Sequence, residues 1–259
     1  MGTVSKALSL LGLFTQLKPV IGLSELTRMS GLNKATTYRL LSELQEQGFV
    51  EQVGTERAYR LGPEVLRLAA LREATVPILS VSRGILDRLA DATGETAHMS
   101  LVRGDNLNAL SHTYSPRHAT RVMMEDAEVL SFHATGSGLA ILAFSDDAFV
   151  DRILSQPLRR FTPETEIDPD EIRAALPAIR EIGWAESVGG FEADVHSHAA
   201  PVFGPEGLPI GALAVAAPVA RVTEEQKQVI RTELAACARA MTEAIGGLLP
   251  PTFPAACAA

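Results

Sequence analysis

Residues 23–61 contain a succession of elements that constrains the fold more than any other part of the chain. The stretch begins LSELTRMSGLNKATTYRLLSELQEQGFV and ends AYRL. Ser24 stands where a helix N-cap belongs, and Gly31 follows as a C-terminal breaker. Two strand-like runs, Phe49–Val53 and Arg57–Leu61, then surround a short turn. This order predicts a winged helix-turn-helix, a DNA-binding module.

The second helix of this module has the sequence of a recognition helix. Asn33 is its N-cap candidate, and Thr37, Leu40, Leu41 and Leu44 form a core stripe at helical spacing. The first turns of such a helix enter the major groove, while a wing follows the DNA backbone or minor groove. We therefore predict that DNA contacts come from Ser24, Lys34, Ala35, Thr36, Thr37, Tyr38, Arg39, Arg57 and Tyr59.

The composition of the chain excludes several classes of protein. Its 259 residues suffice for two domains, and its two cysteines, Cys237 and Cys257, cannot build a disulfide framework. No apolar run reaches the ~20 residues that a membrane-spanning helix needs, and the N-terminus lacks a secretory pattern. We therefore expect a cytoplasmic protein with free thiols and no membrane partner.

The charges of the chain are distributed unevenly. The net charge is −8, yet residues 1–62 carry two more basic than acidic side chains and the remainder carries ten more acidic ones. Such asymmetry is expected if only the N-terminal part meets DNA phosphates, although a small basic excess is also common on an ordinary solvated surface.

The rest of the chain alternates helices and strands without the regularity of a doubly wound sheet. Strands are predicted at 96–102, 107–113, 121–124, 184–187, 195–203 and 210–216, and the main helices at 77–92, 136–144, 146–154, 170–182 and 224–245. This order predicts an α+β domain. The expected organisation is a DNA-binding domain at 1–62, a linker helix at 63–76, a second domain at 77–247 and a disordered tail at 248–259.

The N-terminal motif resembles the DNA-binding domain of IclR-type bacterial transcription regulators. The similarity is dense through LSELTRMSGLNKATTYRLLSELQEQGFV and ERAYRLG. Further stretches, among them FHATGSGLAILAF and GPEGLPIGALAVAAP, resemble the GAF-like effector domain of that family. The resemblance covers about residues 3 to 245. It implies a regulator of a catabolic operon that binds operator DNA as a homodimer or homotetramer. Repression is the first hypothesis for its effect on transcription.

The resemblance also implies a pocket for a small organic acid. The family's effector-binding positions correspond here to Ala119, Val122, Leu130, Gly136, Ser137, Ser187, Val195, Ser197, Ala214 and Ala216. The segment His133–Gly138 opens a helix, whose free N–H groups and dipole favour an anion. Serine replaces a common acidic residue at 187 and a common cysteine at 197, and alanines replace possible serines at 214 and 216. These departures favour a larger, partly apolar effector, such as an aromatic acid.

Three alternative interpretations stay open at the level of sequence. A hydrolase could use Ser137 or Ser197 with a histidine, but no G-x-S-x-G motif is present. The second domain could also belong to a signalling dimer that does not bind DNA. His196 and His198 share one face of a predicted strand, opposite to Val195 and Ser197, and could bind zinc with His98 or His133. Structural histidines are the simpler explanation, so no cofactor is expected.

Overall fold

The computed structural model describes residues 2–15, 18–75, 78–125 and 128–254. The chain forms two compact units, residues 1–77 and 78–259. Cys257 and the predicted start of a helix at Pro77 lie outside the described residues.

The first unit is a winged helix-turn-helix. Its elements are α1 (Thr3–Leu11), α2 (Leu23–Ser30), α3 (Lys34–Glu46), β1 (Val50–Val53), β2 (Ala58–Leu61) and α4 (Pro63–Thr75). The two strands pair antiparallel. The predicted stripe of α3 is buried and packs with Leu10, Leu26 and Val50. These apolar contacts fix α3 against α1 and α2, so its opposite face is left to solvent.

The ends of α2 and α3 test the predictions that were made from local sequence signals. Asn33 caps α3 as predicted, because its Oδ1 accepts a hydrogen bond from the Thr36 amide at 2.8 Å. Gly31 ends α2 in the left-handed conformation, with φ of 66°. The prediction of Ser24 as the N-cap of α2 is wrong. Gly22 holds that position, and Ser24 lies exposed in the first turn.

The second unit is built around one antiparallel sheet of six strands. They are β3 (Thr96–Arg103), β4 (Asn106–Thr113), β5 (Val129–Leu130), β6 (Ala185–Val188), β7 (Val195–Phe203) and β8 (Pro209–Pro218). Their order in the sheet is β5-β4-β3-β8-β7-β6. The helices are α5 (Ile78–Thr93), α6 (Gly136–Phe144), α7 (Asp147–Leu154), α8 (Pro169–Ile182) and α9 (Glu224–Ala244), with a 3-10 helix at Val219–Arg221. The predicted α+β class is confirmed.

Helices cover both faces of this sheet. On one face α5 and α9 pack against β3, β7 and β8. On the other face Ala140 of α6 packs against Ala185, Ala199 and Ala214. Because these four side chains are small, α6 can lie close to the strands. Its N-terminus is thereby held near the strands β6 and β7.

Two sequence predictions for this unit are wrong. Residues 121–124 form no strand, because Met124 uses its backbone N–H and C=O on the Tyr114 hydroxyl instead of a neighbouring strand. The short β5 takes the edge position beside β4. The tail expected to be disordered is packed as far as it is described, since Phe253 is buried between Phe144 and Phe203. None of the helices in the described ranges is long and apolar enough to cross a membrane.

Candidate nucleic-acid interface and ligand pocket

The solvent face of α3 carries the predicted groove-reading side chains. Lys34, Ala35, Tyr38 and Arg39 are exposed, and Thr36 is half-buried. Within the described residues, neither Lys34 nor Arg39 forms an ion pair. Two cations without a carboxylate partner on one helix face are available to phosphates or guanine edges.

Two residues that were predicted to contact DNA belong instead to the core of the module. Thr37 is fully buried, and its hydroxyl donates to the Asn33 carbonyl at 3.1 Å. Tyr59 is 1% exposed and exchanges two backbone hydrogen bonds with Ile21, each of 2.9 Å. The predicted DNA contacts of Thr37 and Tyr59 are therefore wrong. Both residues hold the module together.

The wing presents an exposed basic tip. Arg57 adopts a positive φ of 53°, and its Nε donates to Gln52 Oε1 at 3.0 Å. On the same hairpin Arg60 pairs with Glu51, with 2.6 Å between Nη2 and Oε1. Arg57 thus remains the wing cation that no carboxylate neutralises among the described residues.

The second unit contains an open pocket of ≈ 480 Å³, a volume that includes solvent at its mouth. Seven of the ten predicted effector positions line it: Val122, Leu130, Ser137, Ser187, Val195, Ser197 and Ala216. They come from β5, β6, β7, β8, the N-terminus of α6 and the segment before β5. The pocket therefore forms where the sheet meets the start of α6.

The start of α6 is held in place by serine and threonine side chains. Thr135 caps the helix by accepting from the Gly138 amide at 3.0 Å. Ser197 Oγ accepts from the Gly136 amide at 3.3 Å, and the Ser187 hydroxyl donates to the Ala134 carbonyl at 2.8 Å. Two of the N–H groups expected to be free for an anion are thus already used within the protein.

Three predicted effector positions do not line the pocket. The Gly136 amide donates a hydrogen bond to Ser197 Oγ, but Gly136 itself does not line the pocket. Ala119 is exposed, and Ala214 is buried beneath α6. Ala214 shares the sheet face of Ala216, but Ala140 covers it.

The pocket also contains side chains that the sequence did not reveal. They are His98, Met124, Glu128, Phe191 and Glu192; Ala134 and Thr135, which also line it, belong to the segment predicted to bind an anion. Alternation could have placed His98, because it lies on β3 directly opposite Ala214. No sequence signal marked the other four, since loop geometry rather than periodicity brings them to the pocket.

Two buried polar atoms of the pocket have no hydrogen-bond partner within the described residues. They are Ser137 Oγ and His98 Nδ1, on side chains that are 1% and 5% exposed. Burial, with His112 nearby, lowers the pKa of His98 to about 4, so the imidazole is neutral near pH 7. Native proteins rarely leave such atoms unpaired, so they indicate where a ligand or water would bind.

Two carboxylates complete the pocket wall. Glu192 is exposed and Glu128 is half-buried. Partial loss of water raises the pKa of Glu192, and the same effect followed by the neighbouring Glu192 and Glu125 carboxylates raises the pKa of Glu128. In the parts of the chain described here, neither Glu128 nor Glu192 pairs with an arginine or lysine. The apolar wall expected from Ala214 and Ala216 is therefore only part of the lining.

The opposite face of the sheet contains a cluster of ionisable groups. His196 Nε2 donates to Glu186 Oε1 at 2.5 Å, and His198 Nε2 lies 3.8 Å from the same oxygen. Lys227 Nζ and Arg231 Nη2 of α9 lie 3.5 and 3.9 Å from that carboxylate. The hydrogen bond from His196 lowers the pKa of Glu186 to about 2.

This cluster differs from the zinc site considered from sequence. Glu186, not His98 or His133, is the group beside His196 and His198. His98 faces the pocket instead. Val195 and Ser197 also line the pocket, whereas His196 and His198 lie beside Glu186, so the predicted separation of the two histidines from Ser197 is confirmed. With two cations already near Glu186, we describe the cluster as an ion-pair network.

Comparison with known proteins identifies the chain. The IclR helix-turn-helix domain model matches residues 3–54, and the bacterial transcriptional regulator IclR C-terminal model matches residues 72–243. The chain belongs to the IclR family of transcriptional regulators. It is therefore a DNA-binding regulator with an effector-binding C-terminal domain, and the hydrolase alternative is wrong.

Individual relatives match across nearly the whole chain. The transcriptional repressor IclR of Escherichia coli is 25% identical, over 95% of this chain and 90% of that protein. A putative IclR regulator of known structure from Silicibacter sp. TM1040 is 61% identical over 98% and 100% of the two chains, with a TM-score of 0.92. A homologue from Microbacterium hydrocarbonoxydans, crystallised with 4-hydroxybenzoate, shares the fold, with 22% identity over 94% and 99% and a TM-score of 0.78.

Proposed function

We propose that this regulator represses a catabolic operon as a homodimer or homotetramer and releases its operator when a small aromatic or other organic acid binds the pocket. The observation that carries the proposal is the pair of unpaired buried atoms, Ser137 Oγ and His98 Nδ1, beside the N-terminus of α6. The partial positive charge of a helix N-terminus favours a carboxylate there. The complex of the Microbacterium homologue with 4-hydroxybenzoate and the name of the E. coli repressor support this proposal by analogy.

Oligomerisation follows from the limited reach of one DNA-binding module. Each module presents Lys34, Arg39 and Arg57 without carboxylate partners among the described residues. Since affinity for DNA grows with the number of phosphate contacts, two modules on a near-palindromic site would bind far more tightly than one. Sedimentation should therefore give two or four times the mass of the chain.

The DNA-binding part is tested with operator fragments selected from random DNA by the full-length protein. Arg39→Ala should weaken specific binding by about tenfold or more and reduce the salt dependence by roughly one phosphate contact. Arg173→Ala, on the exposed surface of α8, is the matched control and should bind normally. Equal binding by both variants would contradict the assignment of α3 to the groove.

The effector part is tested by screening small organic and aromatic acids for thermal stabilisation and for release of the selected operator. Ser137→Ala should raise the concentration of an active acid needed for release by about tenfold, because it removes one hydrogen bond to a charged group. Ser155→Ala, exposed at the end of α7, is the control. An acid that acts equally on both variants binds somewhere other than the start of α6.

A further inference from the structure

The two unpaired carboxylates of the pocket indicate a second requirement on the effector. Glu128 precedes β5, and Glu192 lies in the loop between β6 and β7. Glu128 is half-buried and Glu192 is exposed, and a ligand that fills the pocket would displace water from both carboxylates. A carboxylate that loses its water needs a hydrogen-bond donor or a cation beside it. Neither residue has an arginine or lysine partner within the described part of the chain, and His98, the basic group in the lining, is neutral. Once a ligand displaces this water, the partner for the carboxylates would therefore have to come from the ligand itself.

The backbone around both residues is fixed. The Glu128 carbonyl accepts from the Ala109 amide of β4 at 2.8 Å. In the β6–β7 loop, the carbonyls of Gly189 and Gly190 accept from the hydroxyls of Thr162 and Thr165, both at 2.6 Å. The Glu192 carbonyl also accepts from the Val195 amide at 3.1 Å. The two carboxylates are thus carried by anchored segments that place them at the pocket without a ligand.

The polar groups of the pocket therefore fall into two chemically different sets. The hydroxyl of Ser137, with the N-terminus of α6, suits a carboxylate, whereas Glu128 and Glu192 repel one. A simple aromatic acid would satisfy the first set and leave the second desolvated. A site built to bond a hydroxyl or amine discriminates strongly against an analogue that lacks it, because its buried polar groups then remain unpaired.

We infer that the effector is a small acid that also carries a hydroxyl or ammonium group, and that Glu128 and Glu192 accept hydrogen bonds from that group. This inference rests on the proposed function, because it assumes that the same pocket holds the effector. It makes Glu128 and Glu192 specificity-determining residues, in addition to the positions expected from the family resemblance.

The test compares three probes that differ in the group para to the carboxylate: benzoate, 4-hydroxybenzoate and 4-(aminomethyl)benzoate. Calorimetric titration of the full-length protein should give a Kd at least about tenfold lower for one of the two donor-bearing probes than for benzoate. Which of them binds more tightly decides between a hydroxyl and an ammonium group. Butyrate, 4-hydroxybutyrate and 4-aminobutyrate form a second, aliphatic series in case the aromatic series does not bind.

The variants Glu128→Gln and Glu192→Gln test whether the preference for a donor-bearing acid depends on these two side chains. Each keeps the shape of the residue, and each should remove most of the donor's advantage while leaving binding of the plain acid unchanged or improved. Glu206→Gln, in the exposed turn between β7 and β8, is the matched control. Circular dichroism melting verifies that all three variants fold.

Several results would overturn the inference. They are equal or tighter binding of the plain acids, a donor advantage that survives when Glu128→Gln and Glu192→Gln are combined in one protein, or no binding of any probe in either series. If plain acids bind and release the operator as well as the donor-bearing ones, the proposed function stands and this inference fails. If donor selectivity depends on Glu192 but Ser137→Ala has no effect, the carboxylate position of the proposed function fails instead.

Discussion

Glu95 and Arg221 form a bidentate ion pair, with 2.6 Å between Arg221 Nε and Glu95 Oε1 and 2.8 Å between Nη2 and Oε2. Glu95 is 1% exposed. Arg221 Nη2 also donates to the Thr120 carbonyl at 3.0 Å, and Gln226 Nε2 donates to Glu95 Oε1 at 3.0 Å. The pair therefore ties the end of α5, the segment before β5 and the start of α9 around one buried carboxylate.

Removing the arginine should destabilise the effector domain substantially. Arg221→Gln leaves Glu95 buried with only the Gln226 amide nearby, and we expect a loss of about 3 kcal/mol in the free energy of unfolding. Urea titration followed by fluorescence of Trp184, the single tryptophan, measures this domain. Arg152→Gln breaks an exposed pair with Asp105 and should cost less than about 1 kcal/mol. Similar losses for both variants would contradict the structural role assigned to Glu95.

A close approach at the start of α6 gives a second prediction. A Cβ built on Gly138 would overlap the backbone of Phe132, so Gly138→Ala must push α6 and the segment at Phe132 apart. We expect a stability loss of about 1–3 kcal/mol. Gly84 lies within α5 with nothing within 4 Å of such a Cβ, and Gly84→Ala should gain about 0.5–1 kcal/mol in stability. Thermal melts of the two variants should therefore shift in opposite directions, and a parallel shift would refute the crowding argument.

Local signals predicted the helices and their ends well. Asn33 caps α3, Gly31 ends α2 and Thr223 caps α9, because each depends on residues within three or four positions along the chain. The family resemblance supplied seven residues of the pocket lining. The prediction that Tyr59 contacts DNA failed because a local pattern shows only that Tyr59 lies on a short strand. It does not show that Ile21, 38 residues earlier, pairs with that strand.

Features that depend on distant packing could not be predicted from the sequence. Glu128 and Glu192 look like ordinary solvated acids in the chain, and only the loops around them bring them to one pocket. Likewise, the composition of the tail indicated disorder, whereas Phe253 packs into an aromatic group formed by α6 and β7. Contacts between residues so far apart in sequence leave no periodic signal.

The packed tail gives a third prediction. Phe253 is 5% exposed, and the Arg239 guanidinium lies 4.9 Å from the centre of its ring. Phe253→Ala should destabilise the effector domain by about 3–5 kcal/mol, because it leaves a cavity among Phe144 and Phe203. Leu248→Ala, 62% exposed in the same segment, should change stability by no more than about 0.5 kcal/mol. The comparison is made by urea titration at a single protein concentration, and equal effects would mean that the tail does not pack in solution.

The buried histidines should make the effector domain less stable in mild acid. Burial lowers the pKa of His98, and likewise that of His198, from 6.5 to about 4. Between these values the unfolded chain binds protons that the folded domain does not. Stability is therefore present above pH 6.5 and falls as the pH approaches 4. The ionised Glu186 stabilises the folded domain, and this stabilisation is lost at lower pH, as the pH falls from 4.5 towards its folded pKa of about 2.

The contribution of His98 can be isolated by substitution. Between pH 7 and pH 5 the wild-type domain should lose about 2 kcal/mol for each of the two histidines. His98→Gln cannot take up this proton, so over the same interval the variant should lose about 2 kcal/mol less than the wild type, whatever its stability at pH 7. His118→Gln, at an exposed position, should keep the wild-type difference. Urea titrations of the three proteins at both pH values measure this, and an unchanged difference in His98→Gln would show that His98 titrates normally in the folded domain.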